Sequence, residues 1–235
     1  MIISDKLRCI FVRVPKTGST SVEELLLRLD PECTCSDNDT PPYGHFRASQ
    51  LRTRVGEQKW RDYFTFAFVR DPIDWVRSQY TYNMRYYYHY PALKLLMDPN
   101  TNRLHVPDDR ILTIHHVTKL HIMLNEWFKG GSQSVYLDEP LDYIGTTEDL
   151  ANGLNTVLRH LRVANNNSVV RLPHSNRSGS ETYQLDNDAR AFVEMTLRSD
   201  RVLYSSARAA ATVKEQPSQE QPQEQPQEQL QEQSQ

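Results

Sequence analysis

Residues 14–21, Val-Pro-Lys-Thr-Gly-Ser-Thr-Ser, combine a lysine, a glycine and four hydroxyl side chains between an apolar run and an amphipathic segment. Lys16 supplies a positive charge, and Gly18 allows the backbone to approach an anion closely. The hydroxyl groups add hydrogen-bond donors and belong to Thr17, Ser19, Thr20 and Ser21. If a helix begins here, its first amide groups and the positive end of its dipole also attract an anion. The segment therefore predicts a phosphate-binding loop between a strand and a helix.

The order of residues in this loop differs from the P-loop of kinases and GTPases, which reads Gly-x-x-x-x-Gly-Lys-Ser/Thr. Here the lysine precedes the glycine by two positions, and the earlier glycine is missing. The pattern thus indicates a related but different anion cradle, which disfavours a nucleotide kinase. An ordinary capped turn between a strand and a helix fits the same residues about as well when they are taken alone.

A second candidate anion site follows the apolar run at residues 64–69. Arg70 comes directly after that run, and the pair Asp71-Pro72 is typical of a helix start, with aspartate as the cap and proline at the first helical position. The forked guanidinium of arginine suits a phosphate, and Ser78 lies about two turns into the predicted helix, within reach of the same group. A surface Arg–Asp pair beside a helix cap is the alternative, and it is the simpler explanation of this segment alone.

The eight histidines and three cysteines do not have the spacing of metal ligands. A His-Glu-x-x-His pattern is missing, and Cys33 and Cys35 are separated by one residue without a second pair. We therefore predict no metal site. His45 differs from the other histidines because it follows a turn-forming Pro-Pro-Tyr-Gly stretch and lies between the two candidate loops in the sequence. A solvated loop histidine is the alternative.

Strands alternate with amphipathic helices along residues 10–197, which is the pattern of a parallel sheet covered by helices on both faces. Ligands of such a sheet bind beyond the carboxyl ends of its strands, so the two candidate loops are expected to lie close together. A capping box of Thr20 and Glu23 is expected at the first helix. The predicted strands are 10–14, 64–69, 135–137 and 143–144. Two predicted helices begin near residues 20 and 72, and three more cover 110–128, 150–161 and 189–197.

Composition sets the outer limits on fold and function. The chain has 235 residues and a formal net charge of −3, and its segment 214–235 carries five Glu against one Lys. That segment holds one aliphatic residue, so we expect it to be a disordered tail after a single domain at 1–213. The near-neutral domain disfavours nucleic-acid binding, and no apolar run reaches the ~18 residues of a membrane span. Because we find no signal or anchor, we expect the chain as written to be cytoplasmic.

Taken together, the two loops resemble a known family. Residues 13–21 resemble the 5′-phosphosulfate loop of sulfotransferases that use 3′-phosphoadenosine 5′-phosphosulfate (PAPS) as the donor, and residues 68–80 resemble the 3′-phosphate motif of the same enzymes. The likeness is strongest to the carbohydrate branch, especially the uronyl 2-O-sulfotransferases of heparan and dermatan sulfate. Residues 42–45 resemble the Gly-His segment of that branch, 144–150 resemble a downstream strand-to-helix motif, and 172–178 resemble the late loop over the nucleotide.

The resemblance implies a P-loop-like α/β fold and transfer of a sulfuryl group from PAPS to an acceptor hydroxyl, which we expect to belong to a carbohydrate. It implies His45 as the general base and Lys16 as the residue that stabilises the leaving 5′-phosphate. The donor-binding residues that it implies are Arg13, Lys16, Thr17, Gly18, Ser19, Thr20, Ser21, Arg70, Ser78, Arg177 and Ser178. The animal enzymes of this branch are anchored in the Golgi, so a Golgi location is expected only if an anchor precedes this chain. A PAPS-binding module without turnover and a divergent nucleotide kinase are the alternatives.

Overall fold

The computed structural model describes residues 1–35, 44–86, 110–128, 130–163 and 183–214. From β2 onward strands are followed by helices, as the apolar periods predict, although some helices occur in consecutive pairs. The strands are β1 (Ile2–Ser4), β2 (Cys9–Val12), β3 (Thr34–Cys35), β4 (Phe64–Val69), β5 (Ile111–Leu112), β6 (Tyr143–Thr146) and β7 (Gln184–Leu185). The helices are α1 (Ser19–Leu29), α2 (Ala48–Val55), α3 (Glu57–Asp62), α4 (Pro72–Tyr86), α5 (Ile114–Phe128), α6 (Leu150–His160), α7 (Asn187–Thr196) and α8 (Arg198–Lys214).

Five strands form the central sheet in the order β3-β1-β2-β4-β6. Its centre is parallel, because β4 pairs in parallel with β2 on one side and with β6 on the other. Its outer part is antiparallel, since β1 runs antiparallel to both β2 and β3. The prediction of a parallel sheet is therefore confirmed for the centre and wrong for this edge. The reason is the short connection between β1 and β2, residues 5–8, which suffices for a hairpin but not for the crossover that parallel strands need.

Helices cover both faces of the sheet, as predicted. On one face the aromatic side chains of β2 and β4 pack against α1 and α6. On the other face smaller apolar side chains of the same strands pack against α2 and α3 and, further along β4, against α8. The aromatic face comprises Phe11, Phe66 and Phe68, and the opposite face comprises Ile10, Val12, Ala67 and Val69.

A third apolar cluster joins α4, α5 and α7 around the buried side chains of Trp75 and Tyr80. Next to it, β5 and β7 form a short parallel pair. Because α4 begins directly after β4, this cluster holds in place the helix that carries the second candidate loop. Within the described residues, no helix combines the length and the apolar character that a membrane span requires.

The elements of the second candidate loop are confirmed. The apolar run at residues 64–69 is β4, and α4 begins at Pro72. Asp71 caps this helix through Oδ1, which accepts hydrogen bonds from the amides of Ile73 (2.9 Å) and Asp74 (3.4 Å). The strand predicted at 143–144 and the helix predicted at 150–161 are also present, as β6 and α6.

Other local predictions are wrong. The segment predicted as a strand at 135–137 contains a 3₁₀ turn, Ser134–Tyr136, because the Asp200 carboxylate binds two consecutive amides there and turns the chain. The helix predicted at 110–128 begins only at Ile114, since the preceding residues form β5. The helix predicted at 189–197 is present as α7, which ends at Thr196. Helix α8, which follows it directly, was not predicted, because its sequence is mostly polar and alanine-rich. The capping box at α1 is absent, since Gly18 is the cap and Glu23 pairs with Arg13.

Candidate functional site

The first loop closes tightly between β2 and α1. The Thr17 hydroxyl donates a hydrogen bond to the Val14 carbonyl (2.9 Å), which directs this buried side chain back toward the strand. The backbone at Lys16 (φ 62°) and at Gly18 (φ 76°) adopts the left-handed conformation. Such a conformation costs free energy for a lysine, so the surrounding contacts must hold the loop in it.

Gly18 is required by its neighbours as well as by its backbone angles. A Cβ atom at this position would lie 2.9 Å from Cδ2 of Leu150, the first residue of α6. The Gly18 carbonyl accepts hydrogen bonds from the amides of Ser21 (3.0 Å) and Val22 (3.3 Å). The earlier amides of α1, on Ser19 and Thr20, have no acceptor within the described residues. The positive end of the helix is therefore open to an anion.

Helix α4 crosses the first loop and brings the two candidate loops together. The indole Nε1 of Trp75 donates a hydrogen bond to the Pro15 carbonyl (2.8 Å). Tyr82 lies about two turns further along α4, and Nζ of Lys16 is 4.1 Å from the centroid of its ring. This cation–π contact holds the ammonium group of the lysine beside the loop. The expected proximity of the two loops is thus seen in direct contacts.

His45 lies beside the first loop. Its Nδ1 is 2.9 Å from the Arg13 carbonyl, and because a carbonyl only accepts, Nδ1 carries the hydrogen and donates it. The neutral ring then has its lone pair on Nε2. The residue is half-buried, and the centroid of its ring lies 6.4 Å from that of Tyr136. This burial, together with the charges of Arg13 and Lys16, lowers the pKa of His45 to about 3.

Arg13 is buried, and its guanidinium pairs with the Glu23 carboxylate of α1 (Nη2 to Oε2, 3.0 Å). A second bond, from Nη1 to Oε1, measures 3.3 Å. The pair joins the end of β2 to α1 while the backbone carbonyl of Arg13 holds His45. Arg13 therefore connects the strand, the helix and the imidazole on which the candidate chemistry depends.

The second loop begins where β4 ends. Thr147 follows β6 and donates to the Val69 carbonyl through both its amide (2.7 Å) and its hydroxyl (3.0 Å), which extends the sheet by one residue. Arg70 is held by its backbone, as its amide donates to Oε1 of Gln133 (2.8 Å). Among the described residues, its guanidinium has no hydrogen-bond or ion-pair partner. Ser78 is buried in α4.

Most of the sequence-predicted site residues lie at one end of the parallel strands. Residues 13–21 and Arg70 follow the ends of adjacent strands, β2 and β4, and His45 contacts the first of these segments. Arg177 and Ser178 lie outside the described residues, so their assignment stays a prediction. The described residues hold no cluster of three or more His, Cys, Asp or Glu side chains suited to a metal ion.

Sequence reasoning missed the residues that support the site from a distance. Trp75 and Gln133 contact the two loops across separations of 60 and 63 residues, and no local pattern marks either of them. Tyr82 belongs to a tyrosine-rich stretch at 80–90, and that composition is the only sequence signal that points to it.

A comparison with protein families agrees with this arrangement. The family model described as the sulfotransferase family matches residues 1–116, just under half of the chain. The match supports a sulfotransferase family for this protein. It contains both candidate loops and His45, and it supports sulfuryl transfer as the general activity. No curated protein and no solved structure matches the chain.

Proposed function

We propose that the protein is a PAPS-dependent sulfotransferase. It would transfer a sulfuryl group from PAPS to a hydroxyl group of a carbohydrate acceptor. The observation that carries the proposal is the position of His45, whose Nδ1 is bound by the Arg13 carbonyl and whose neutral ring lies near enough to Lys16 to be affected by its charge. An anion cradle alone fits many nucleotide-binding proteins. A neutral imidazole at its border adds the group that accepts a proton from a hydroxyl.

The donor would lie across the ends of β2 and β4. Lys16 and the amide groups of residues 17–21 would bind the 5′-phosphosulfate, because the end of α1 attracts negative charge. Arg70 and Ser78 would bind the 3′-phosphate, the group that distinguishes PAPS from ATP. Arg13 would act through its backbone carbonyl and its ion pair with Glu23, since its guanidinium is already engaged.

The reaction is a displacement at sulfur. The acceptor oxygen attacks the sulfur atom as His45 Nε2 takes the hydroxyl proton, and a new sulfur–oxygen bond forms. The bond between sulfur and the bridging oxygen of the 5′-phosphate breaks, and adenosine 3′,5′-bisphosphate leaves with the bonding electrons. Lys16 and the first amides of α1 offset the charge that develops on that phosphate. In this proposal positioning and charge stabilisation supply most of the rate.

Binding of the product nucleotide tests the donor assignment. Adenosine 3′,5′-bisphosphate should bind more tightly than AMP, and Arg70→Ala should weaken bisphosphate binding by about 1.5–3 kcal/mol. Titration calorimetry measures both affinities, with the surface variant Arg159→Ala as a control on α6. Equal affinities of the native protein for AMP and for the bisphosphate would contradict the assignment of the second loop.

An acceptor screen separates an enzyme from a binding module. The protein is incubated with PAPS and a panel of sugars, glycans, phenols and tyrosine peptides, and mass spectrometry detects a gain of one sulfuryl group. We expect products among the glycans. Bisphosphate binding without any sulfated product across the panel would favour a module without turnover, and phosphorylated products formed with ATP would favour a kinase.

A further inference from the structure

Gln133 clamps the backbone of Arg70. Its side-chain Oε1 accepts a hydrogen bond from the Arg70 amide (2.8 Å), and its Nε2 donates to the Arg70 carbonyl (2.8 Å). The side chain thus makes the two backbone hydrogen bonds that a neighbouring strand would make to a strand residue. Arg70 is the first residue after the end of β4. Gln133 is 1% exposed, so no water competes for these two bonds.

Asp200 fixes Gln133 in turn. Its carboxylate accepts hydrogen bonds from the amides of Gln133 (2.7 Å) and Ser134 (2.9 Å). Asp200 is 1% exposed, and a carboxylate buried to this degree is costly unless such bonds satisfy it. The chain from Asp200 through Gln133 to Arg70 is therefore a complete buried network, which has little freedom to shift.

The next residue of α8 holds the other half of the second loop. Arg201 forms an ion pair with Asp71 Oδ2 and a second pair with Glu194 of α7. Two consecutive residues of α8 thus hold two consecutive residues of the loop: Asp200 holds Arg70 through Gln133, and Arg201 holds Asp71 directly. All of these supporting residues lie outside residues 1–116, the part of the chain that the family model matches.

We propose that Gln133 is a positioning residue that aims the Arg70 guanidinium at the donor and thereby sets the preference for nucleotides with a 3′-phosphate. This inference rests on the proposed function. Both contacts of Gln133 with Arg70 are to backbone atoms, which leaves the guanidinium available while the direction of the side chain from its Cα is fixed. A long side chain amplifies any rotation of its backbone, so loss of the clamp displaces the charged end most.

If Gln133 had a purely structural role, its substitution would lower only the stability of the protein. A similar contact at the opposite end of β4 provides the control. There the Asp142 Oδ2 accepts hydrogen bonds from the Thr65 amide (2.7 Å) and hydroxyl (2.9 Å), and the Asp142 amide donates to that hydroxyl (3.0 Å). Asp142→Ala therefore removes a side-chain clamp from β4 without touching the second loop.

The experiment compares Gln133→Met with Asp142→Ala in the full chain. Calorimetry gives the affinities for adenosine 3′,5′-bisphosphate and for AMP, and thermal unfolding gives Tm. We expect both variants to lower Tm. Gln133→Met should reduce the affinity ratio of bisphosphate to AMP by about tenfold, the worth of one well-placed charge-assisted bond, with AMP affinity kept. Asp142→Ala should leave the ratio unchanged.

The outcomes separate this inference from the proposed function. If the native protein prefers the bisphosphate and Gln133→Met keeps that preference, the positioning role is wrong while the donor assignment stands. If the native protein shows no preference, the donor assignment itself fails. Should Gln133→Met not fold, Asp200→Asn provides the second test, because it retains one acceptor oxygen and should reduce the same ratio. An unchanged ratio in that variant overturns the inference.

Discussion

At the scale of single residues, His45 shows how the surroundings prepare a side chain for one protonation state. The Arg13 carbonyl fixes the hydrogen on Nδ1, and burial with two nearby positive charges disfavours a second proton. The ring is therefore neutral at pH 7. A bound phosphate offsets those positive charges, so the donor itself is expected to raise the pKa of His45 toward the range useful for a base.

The first prediction separates the base from the donor site. His45→Ala should lower turnover by about 10²–10⁴-fold, the usual contribution of a general base, while the affinity for the bisphosphate changes little. Lys16→Ala should lower turnover and donor affinity together, because its charge contacts the donor before and during transfer. The exposed His115 of α5 supplies the control variant His115→Ala. Full activity of His45→Ala would show that another group takes the proton.

The second prediction concerns pH and stability. The pKa of His45 in the folded protein, about 3, lies below its usual value of about 6.5, so between these values the unfolded chain binds more protons than the folded one. The free energy of unfolding should therefore fall as the pH decreases through this window. His45→Gln removes the imidazole that binds this proton, so the free energy of unfolding of the variant should depend less on pH. Urea unfolding of both proteins between pH 7 and pH 4 measures the difference, and parallel curves would contradict the lowered pKa.

At the scale of elements, strong local sequence patterns were sufficient to predict the centre of the fold. The continuous apolar run of β4 and the Asp71-Pro72 helix start allowed the second loop to be placed from sequence, and the amphipathic period did the same for α1. The edge strands β1 and β3 have three and two residues, which is too short for a period to develop. The helices α2 and α8 are polar on average and contain few large apolar side chains, so their sequences led to no prediction of a helix.

The candidate site was predictable to the extent that it is local. Residues 13–21, His45 and Arg70 follow one another along the chain and carry their own chemical signals. Their supports do not, because the Gln133 clamp on Arg70 arises only when the chain returns to the end of β4. Contacts of this kind depend on tertiary packing, which a single sequence does not encode as a pattern.

The third prediction concerns the junction of the first loop, α1 and α6. Gly18→Ala places a Cβ in a left-handed backbone conformation, which costs about 1–2 kcal/mol, and presses it against Leu150. We expect a lower Tm and weaker binding of the bisphosphate. Gly56→Ala is the control, since Gly56 also has a positive φ but lies away from the loop with no atom within 4 Å of its Cβ position. That variant should lose stability and keep its affinity.

A double-mutant cycle separates the two costs at Gly18. Leu150→Ala removes the side chain that the new Cβ would meet, so it should recover the steric part of the Gly18→Ala loss and leave the backbone part. Strict additivity of the two substitutions, measured by urea unfolding, would show that Leu150 does not restrict this position.

At the scale of the whole molecule, the sheet and its cover do not end where the family match ends. Strand β6, which comes from the second half of the chain, pairs along its full length with residues Phe66 to Val69 of β4. The aromatic face of the sheet is covered partly by α6, through Leu154 and Leu158, and the opposite face partly by α8. The loops that carry the candidate chemistry are thus built by the first half of the chain and supported by the second.

The fourth prediction follows from this division. A fragment of residues 1–116 retains both loops but should not fold, because β4 would become an exposed edge and its apolar side chains would lose the cover of α6 and α8. Residues 1–214 should unfold cooperatively, with the Tm and bisphosphate affinity of the full chain, since the composition of 215–235 predicts no buried core. Circular dichroism melts and the dispersion of amide NMR signals distinguish the two fragments. A sharp melting transition together with bisphosphate binding in 1–116 would contradict the requirement for the second half, and a Tm several degrees lower in 1–214 would mean that the tail packs against the domain.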